Sequence, residues 1–150
     1  MTKPKLIGVN HVALEVDDVG AALEFYGKIF DFQLRGSYHD DDGVLQMAFI
    51  DMGDQFLALC RGRTQESDTN RHFGLVVNDR SMVMALATAA GATISEGRPF
   101  NFLDRWGNHV EIVDYRDAQF TKSDAVLRAL GIAADKNETA KAEMRKKGIL

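Results

Sequence analysis

Two histidines and a glutamate, far apart in the chain, have the types and phasing of ligands for a divalent metal. His11 opens the segment HVALEVDD (11–18) and His72 opens HFGLVVND (72–79), an offset of 61 residues. Glu111 stands between Val110 and Ile112. A first-row divalent ion needs N and O donors converging at about 2.0–2.2 Å, and two imidazoles plus one carboxylate leave positions open for substrate. Singly, each has an ordinary reading. A histidine at a strand start is usually a satisfied or surface residue, and a glutamate on a strand usually faces water. The joint pattern is less ordinary, because both histidines open the same repeated segment.

The elements that must position these residues follow from periodicity. Leu6–Val16 alternates as a strand, with Val12, Leu14 and Val16 on one face and His11, Ala13 and Glu15 on the other. Asp17 or Asp18 can cap a helix to about Phe30, with Val19, Ala22, Leu23, Tyr26, Ile29 and Phe30 on its stripe. Strands are predicted at about Gln33–Tyr38, Val44–Asp51 and Gln55–Cys60, separated by HDDDG (39–43) and the Gly53-Asp54 turn.

The order then repeats. Asn70–Val77 reads as a strand, with Phe73, Leu75 and Val77 opposite His72, Gly74 and Val76. Asp79 caps a helix through Ala90, with Met82, Leu86 and Ala89 on its stripe, and Gly91 ends it. Short strands follow near Ala92–Ser95, Arg98–Leu103 and His109–Tyr115, the last two joined by DRWGN (104–108). The expected class is α+β: two βαβββ modules at about 6–62 and 70–116 in one domain (1–120), with a helical C-terminal extension at 121–150. Each helix covers one face of its sheet. By parity, His11, His72 and Glu111 all fall on the opposite, concave face, where a carboxylate buried without a partner would be costly.

Other residues are candidates on weaker grounds. His109 shares the face of Glu111 and is a candidate catalytic acid or base, since histidine titrates near neutrality; the plainer alternative is a hydrogen-bonded wall residue. Phe49, Phe56, Phe100, Phe102 and Trp106 could line an apolar pocket, although most aromatics in a small domain are core. Arg98 and Arg105 flank the last hairpin and could hold an anionic substrate. His39 in the acidic loop reads as solvent-facing, and Cys60 as a small wall residue without a flanking base.

Composition bounds the rest. Residues 1–120 carry 11 basic and 18 acidic side chains (−7), residues 121–150 carry 7 and 4 (+3), and the chain is −4 overall. That balance gives no reason to expect a nucleic-acid partner. One cysteine excludes an intramolecular disulfide and fits a reducing compartment. No run approaches the ~18 apolar residues of a membrane span. The expectation is a cytoplasmic protein with a small-molecule substrate.

Three segments, NHVALEVDDVGAALEFYGKIFDFQL (10–34), RHFGLVVND (71–79) and FLDRWGNHVEIVDY (102–115), resemble the vicinal oxygen chelate superfamily of glyoxalases, bleomycin-resistance proteins, fosfomycin-resistance enzymes and extradiol dioxygenases. The resemblance covers about residues 6–116. It implies the glyoxalase-like fold and one divalent metal (Fe, Mn, Ni, Co or Zn) on His11, His72 and Glu111, chelating adjacent substrate oxygens. It also implies a homodimer in which the ligands of one site can come from two chains. Two departures bear on the reaction. Where glyoxalase-type members place a further glutamate, this chain has Ala58; where extradiol dioxygenases carry a tyrosine, it has Asn101, and no histidine lies within 73–108. The reading that results is a dioxygenase-like metalloenzyme with His109 moving a proton. The alternatives are a lyase, isomerase or thiol transferase on the same metal, or a drug-binding protein of the bleomycin-resistance type.

Overall fold

The computed structural model describes residues 3–150. The first module runs β1 (His11–Val16), α1 (Val19–Gly27), β2 (Leu34–His39), β3 (Leu45–Asp51) and β4 (Phe56–Arg61). The second runs β5 (Phe73–Val77), α2 (Arg80–Ala89), β6 (Thr93–Ile94), β7 (Asn101–Leu103) and β8 (His109–Asp114). Each forms a four-stranded sheet, ordered β1-β4-β3-β2 and β5-β8-β7-β6, with one parallel pair at one edge and antiparallel neighbours beyond. The predicted class therefore holds: an α+β chain of two βαβββ units followed by α3 (Asp124–Ala129) and α4 (Glu138–Lys146). Among the described residues, no helix is long and apolar enough to cross a membrane.

The two helices start for the same reason. The Asp18 carboxylate accepts the Ala21 N–H at 2.7 Å, and that of Asp79 accepts the Met82 N–H at 2.8 Å, each satisfying an N–H that the first helical turn leaves free. The predicted faces of β1 and β8 hold: Leu14, Val16, Val110 and Ile112 are buried, while Glu111 is only partly so. On α2 the buried stripe is Val83, Ala87 and Ala90, not Met82, Leu86 and Ala89, which are exposed. That helix is apolar around most of its circumference, so packing on β8, rather than spacing, selects the face.

Two strand predictions run too far. Residues 6–10 lie outside β1, because His11 pairs with Phe56, the first residue of β4, and no strand of the chain continues upstream. Leu6 and Ile7 are fully exposed as a result. Likewise β7 begins at Asn101 rather than Arg98, since a turn linking Ser95 to Arg98 and Arg98 to Asn101 precedes it, and Pro99 has no N–H for a ladder.

The segment 104–108 does more than join strands. Its Asp104 carboxylate accepts the buried Tyr26 hydroxyl at 2.8 Å, the Asn108 amide at 2.8 Å and two backbone N–H groups of its own turn. Asn108 in turn donates to the Glu15 carbonyl at 3.1 Å and accepts from Arg63 at 2.5 Å. Trp106 packs edge-on against Phe25, ring centroids 5.9 Å apart. A turn of the second module is thus seated on α1 and β1 of the first. Burial, followed by the neighbouring Asp104 charge, pushes the Tyr26 hydroxyl well above its ordinary pKa.

The C-terminal extension lies across both modules. Lys122 pairs with Asp54 on the β3–β4 turn. The Lys136 ammonium is buried against the carbonyls of Tyr115 (2.6 Å) and Phe120. Met144 and Ala140 are the buried residues of α4.

Candidate metal centre

His72 lies just before β5 and Glu111 in the middle of β8, the strand that pairs with β5. Gly74, two positions after His72, is the register partner of Glu111, so the His72 and Glu111 side chains rise from the face that α2 leaves uncovered. The His72 Nε2 is 3.2 Å from Glu111 Oε2, and both side chains are about two-fifths exposed (40% and 42%). Two donors on one ion, each bonded at about 2.1 Å, lie about 3.0 Å apart along an octahedral edge and about 3.4 Å apart along a tetrahedral one. The observed separation falls between these values.

The other imidazole nitrogen sharpens this. His72 Nδ1 lies 2.9 Å from the Asn70 carbonyl, an acceptor that holds the ring proton on Nδ1. Nε2 then presents a lone pair to a carboxylate oxygen, an arrangement that a proton or a cation between them must relieve. Carbonyl support of the far ring nitrogen is also how metal-bound histidines are usually oriented. His11 repeats the device: its Nδ1 lies 2.8 Å from Asn10 Oδ1, leaving Nε2 bare. Its ring stacks on Phe56, centroids 4.6 Å apart. The donor set and its supports fit a divalent ion.

His11 does not join the other two within the chain. No group of three or more His, Cys, Asp or Glu side chains able to hold a metal occurs among the described residues. His11 belongs to the open face of the first sheet, together with Phe56 and Phe49, whose rings meet edge-on at 5.7 Å. One chain therefore brings two of the three candidate ligands together and leaves the third apart.

The remaining candidates sort clearly. An open cleft of about 460 Å³ is lined by His72, Arg80, Arg98, Phe100, Asn101 and Glu111, among others. Phe102 does not line it; its side chain is fully buried in the core on the opposite face of β7. Trp106 packs against the core, and Arg105 donates to the Ala90 carbonyl at 2.9 Å, away from this cleft. His109 is on the expected face, its ring 5.5 Å from that of His72, but only 3% exposed. Its Nδ1 faces the Thr69 carbonyl at 3.0 Å and its Nε2 faces Ser95 Oγ at 3.5 Å. Buried, with its Nδ1 against the Thr69 carbonyl, it backs the wall behind His72. Burial, with a smaller contribution from Glu15, pushes the Cys60 thiol up, away from nucleophilic use. Arg80 and Asn70 escaped the sequence. Asn10 and Asn70, each just ahead of a histidine at a strand start, were the one signal available.

The family model for the Glyoxalase/Bleomycin resistance protein/Dioxygenase superfamily matches residues 8–112. The chain belongs to this superfamily. Among solved structures, the genomically encoded fosfomycin resistance protein FosX from Listeria monocytogenes is similar at a TM-score of 0.62 with 20% identity, over 73% of this chain and 93% of that one. A FosX variant complexed with Mn(II) and 1S,2S-dihydroxypropylphosphonic acid gives 0.61 with 20% identity, over 72% and 92%. TioX from Micromonospora sp. ML1 gives 0.51 with 20% identity, over 70% and 96%. At these identities the likeness concerns the fold. No curated protein sequence matches the chain significantly.

Proposed function

We propose that this member of the superfamily is a divalent-metal-dependent enzyme acting on a small molecule, its metal held by His72 and Glu111 of one chain and His11 of a second copy. The observation that carries this is the 3.2 Å approach of His72 Nε2 to Glu111 Oε2, with Nδ1 tied to a backbone carbonyl. Three features support a paired site. His11 has the same free Nε2 but, among the described residues, belongs to no group of three or more candidate ligands. Strands β1 and β5, which carry or follow the histidines, are both sheet edges. Leu6, Ile7 and Val9, just upstream of His11, expose apolar side chains that a second copy would cover.

The metal would supply Lewis-acid stabilisation of negative charge developing on two adjacent substrate oxygens. The chain's own residues do the rest. Asn70 and Asn10 fix the imidazoles so that Nε2 faces the ion. Glu111 offsets one of its charges. The Arg80–Phe100 wall closes one side of the cleft. His72 is the imidazole among the described residues lining the cleft, and the reading favoured is chemistry in which the metal would activate the substrate directly. A dioxygenase-like reaction remains the first form of it. Addition to an electrophilic substrate such as an epoxide is the second, favoured by the fold shared with FosX.

The test is turnover by metal-loaded protein, comparing oxygen uptake with a catechol panel against consumption of epoxides and hemithioacetals. Turnover abolished by chelator and restored by metal is expected. Tight binding of a small aromatic molecule, indifferent to chelator and without turnover, would replace the enzyme by a binding protein.

A further inference from the structure

We propose that the cleft beside His72 and Glu111 binds an oxyanionic group of its substrate, a carboxylate or a phosphorus oxyanion, through Arg98, with Arg80 fixed beside it. This deepens the proposed metal site by naming a substrate class. It rests on that reading only for what lies next to the anion.

The two guanidinium groups of the cleft are in different states. Arg80 is committed. Its Cζ sits 3.7 Å over the Phe100 ring, and its Nη1 is 3.3 Å from Asp117 Oδ2. Asp117 is held in turn by Asn137, the cap of α4, at 2.8 Å, so the C-terminal extension steadies this arginine. Arg98 is uncommitted. Its one side-chain hydrogen bond is long, 3.5 Å to Asn70 Oδ1, and among the described residues it forms no ion pair. A guanidinium has five N–H donors arranged for bidentate contact with a carboxylate or phosphoryl group, and here nearly all are free beside His72 and Glu111.

The surroundings choose the ligand's sign. Residues 1–120 carry a charge of −7, yet the side chains lining this cleft include two arginines against one carboxylate, Glu111. Arg80 is offset by Asp117, so the charge left in this concave site to attract an anion is that of Arg98. The aromatic wall argues the same way, because Arg80 occupies a face of Phe100 that a neutral aromatic substrate would need for stacking. Asn70 links the two sites: its carbonyl orients His72 while its side chain faces Arg98, so anion and donor imidazole rest on one residue.

Calorimetric titration with methylphosphonate and with acetate, each with and without manganese(II), tests this. At least one anion should bind, and the tighter one identifies the group. Arg98→Ala should weaken it by about tenfold or more, as expected of a charge-assisted pair. Arg98→Lys should fall between, and Arg128→Gln, which removes an exposed charge from the extension, should change nothing. Arg98 is exposed in a turn, and unchanged urea midpoints would show that its variants fold. Failure of both anions to bind, or equal binding by Arg98→Ala, overturns the assignment. His72→Ala separates the two readings. If it keeps the anion and wild type takes up no manganese, the anion site stands without the metal; if wild type takes up manganese but neither anion, the reverse holds.

Discussion

Asp104→Ala should destabilise the protein far more than an ordinary surface change, and by an amount that depends on Tyr26. Asp104 is 5% exposed. One carboxylate oxygen takes the Tyr26 hydroxyl (2.8 Å) and the Asn108 amide (2.8 Å); the other takes the backbone N–H groups of Trp106 (2.9 Å) and Asn108 (2.8 Å). Each buried donor left without a partner costs about 1–3 kcal/mol. Tyr26 is fully buried, so no water can replace the lost acceptor. Counting only the Tyr26 hydroxyl and the Asn108 amide, because turn N–H groups can relax toward solvent, the loss is about 2–6 kcal/mol. That is a large share of the roughly 5–15 kcal/mol that holds a domain folded. Tyr26→Phe alone should cost about 1–2 kcal/mol. Combined with Asp104→Ala it should recover about 1–3 kcal/mol, since the hydroxyl it removes is already orphaned. Urea denaturation of wild type, both single variants and the double variant gives the coupling, expected at about 2–5 kcal/mol. Additive losses, agreeing within about 0.5 kcal/mol, would refute the shared contact.

Three further outcomes follow from particular residues. Gly107→Ala should cost about 2–4 kcal/mol in urea unfolding, because φ is +84° there and a Cβ would meet the Ser67 backbone at 2.6 Å. Asp114 is held at about 2, chiefly by hydrogen bonds and charge from Arg116 and despite its burial, below the unfolded value of about 3.9. Its stabilisation is therefore complete above about pH 4 and lost as pH falls toward 2; because Arg116 is largely exposed, the loss should be about 1–2 kcal/mol, and absent from Asp114→Asn in urea midpoints taken between those values. Replacing Leu6 and Ile7 together by serine should move the protein toward monomer in sedimentation equilibrium while leaving the circular dichroism spectrum unchanged, since neither side chain touches its own fold.

The repeat was legible because its parts are local. The Asp18 and Asp79 caps, the two-residue alternation of β1 and β8 and the phase of Glu111 each depend on neighbours within a few positions. The α2 face was not legible, because apolar residues surround most of that helix and only β8 decides which of them turn inward. Nor was the role of Asp104, whose partner Tyr26 is 78 positions away in the chain. Parity placed His109 on the correct face but could not show that Thr69 and Ser95 close over it. For the same reason Phe102 was misread: its strand is three residues long, too short for alternation to identify a face. Type and phase make His11, His72 and Glu111 candidates, but periodicity within one chain is silent on how two sheets, or two copies, are set against each other.

Metal content of mixed variants tests the shared centre most directly. Homodimers of His11→Ala and of His72→Ala should each lose the metal while remaining folded. A dimer containing one chain of each still assembles one intact set, from the His11 of the His72→Ala chain and the His72 and Glu111 of the other. Isolated with two different affinity tags that contain no histidine, that heterodimer should hold one metal per pair, half the wild-type content. Full metal retention by His11→Ala, or no recovery in the heterodimer, would show that the three side chains do not meet on one ion.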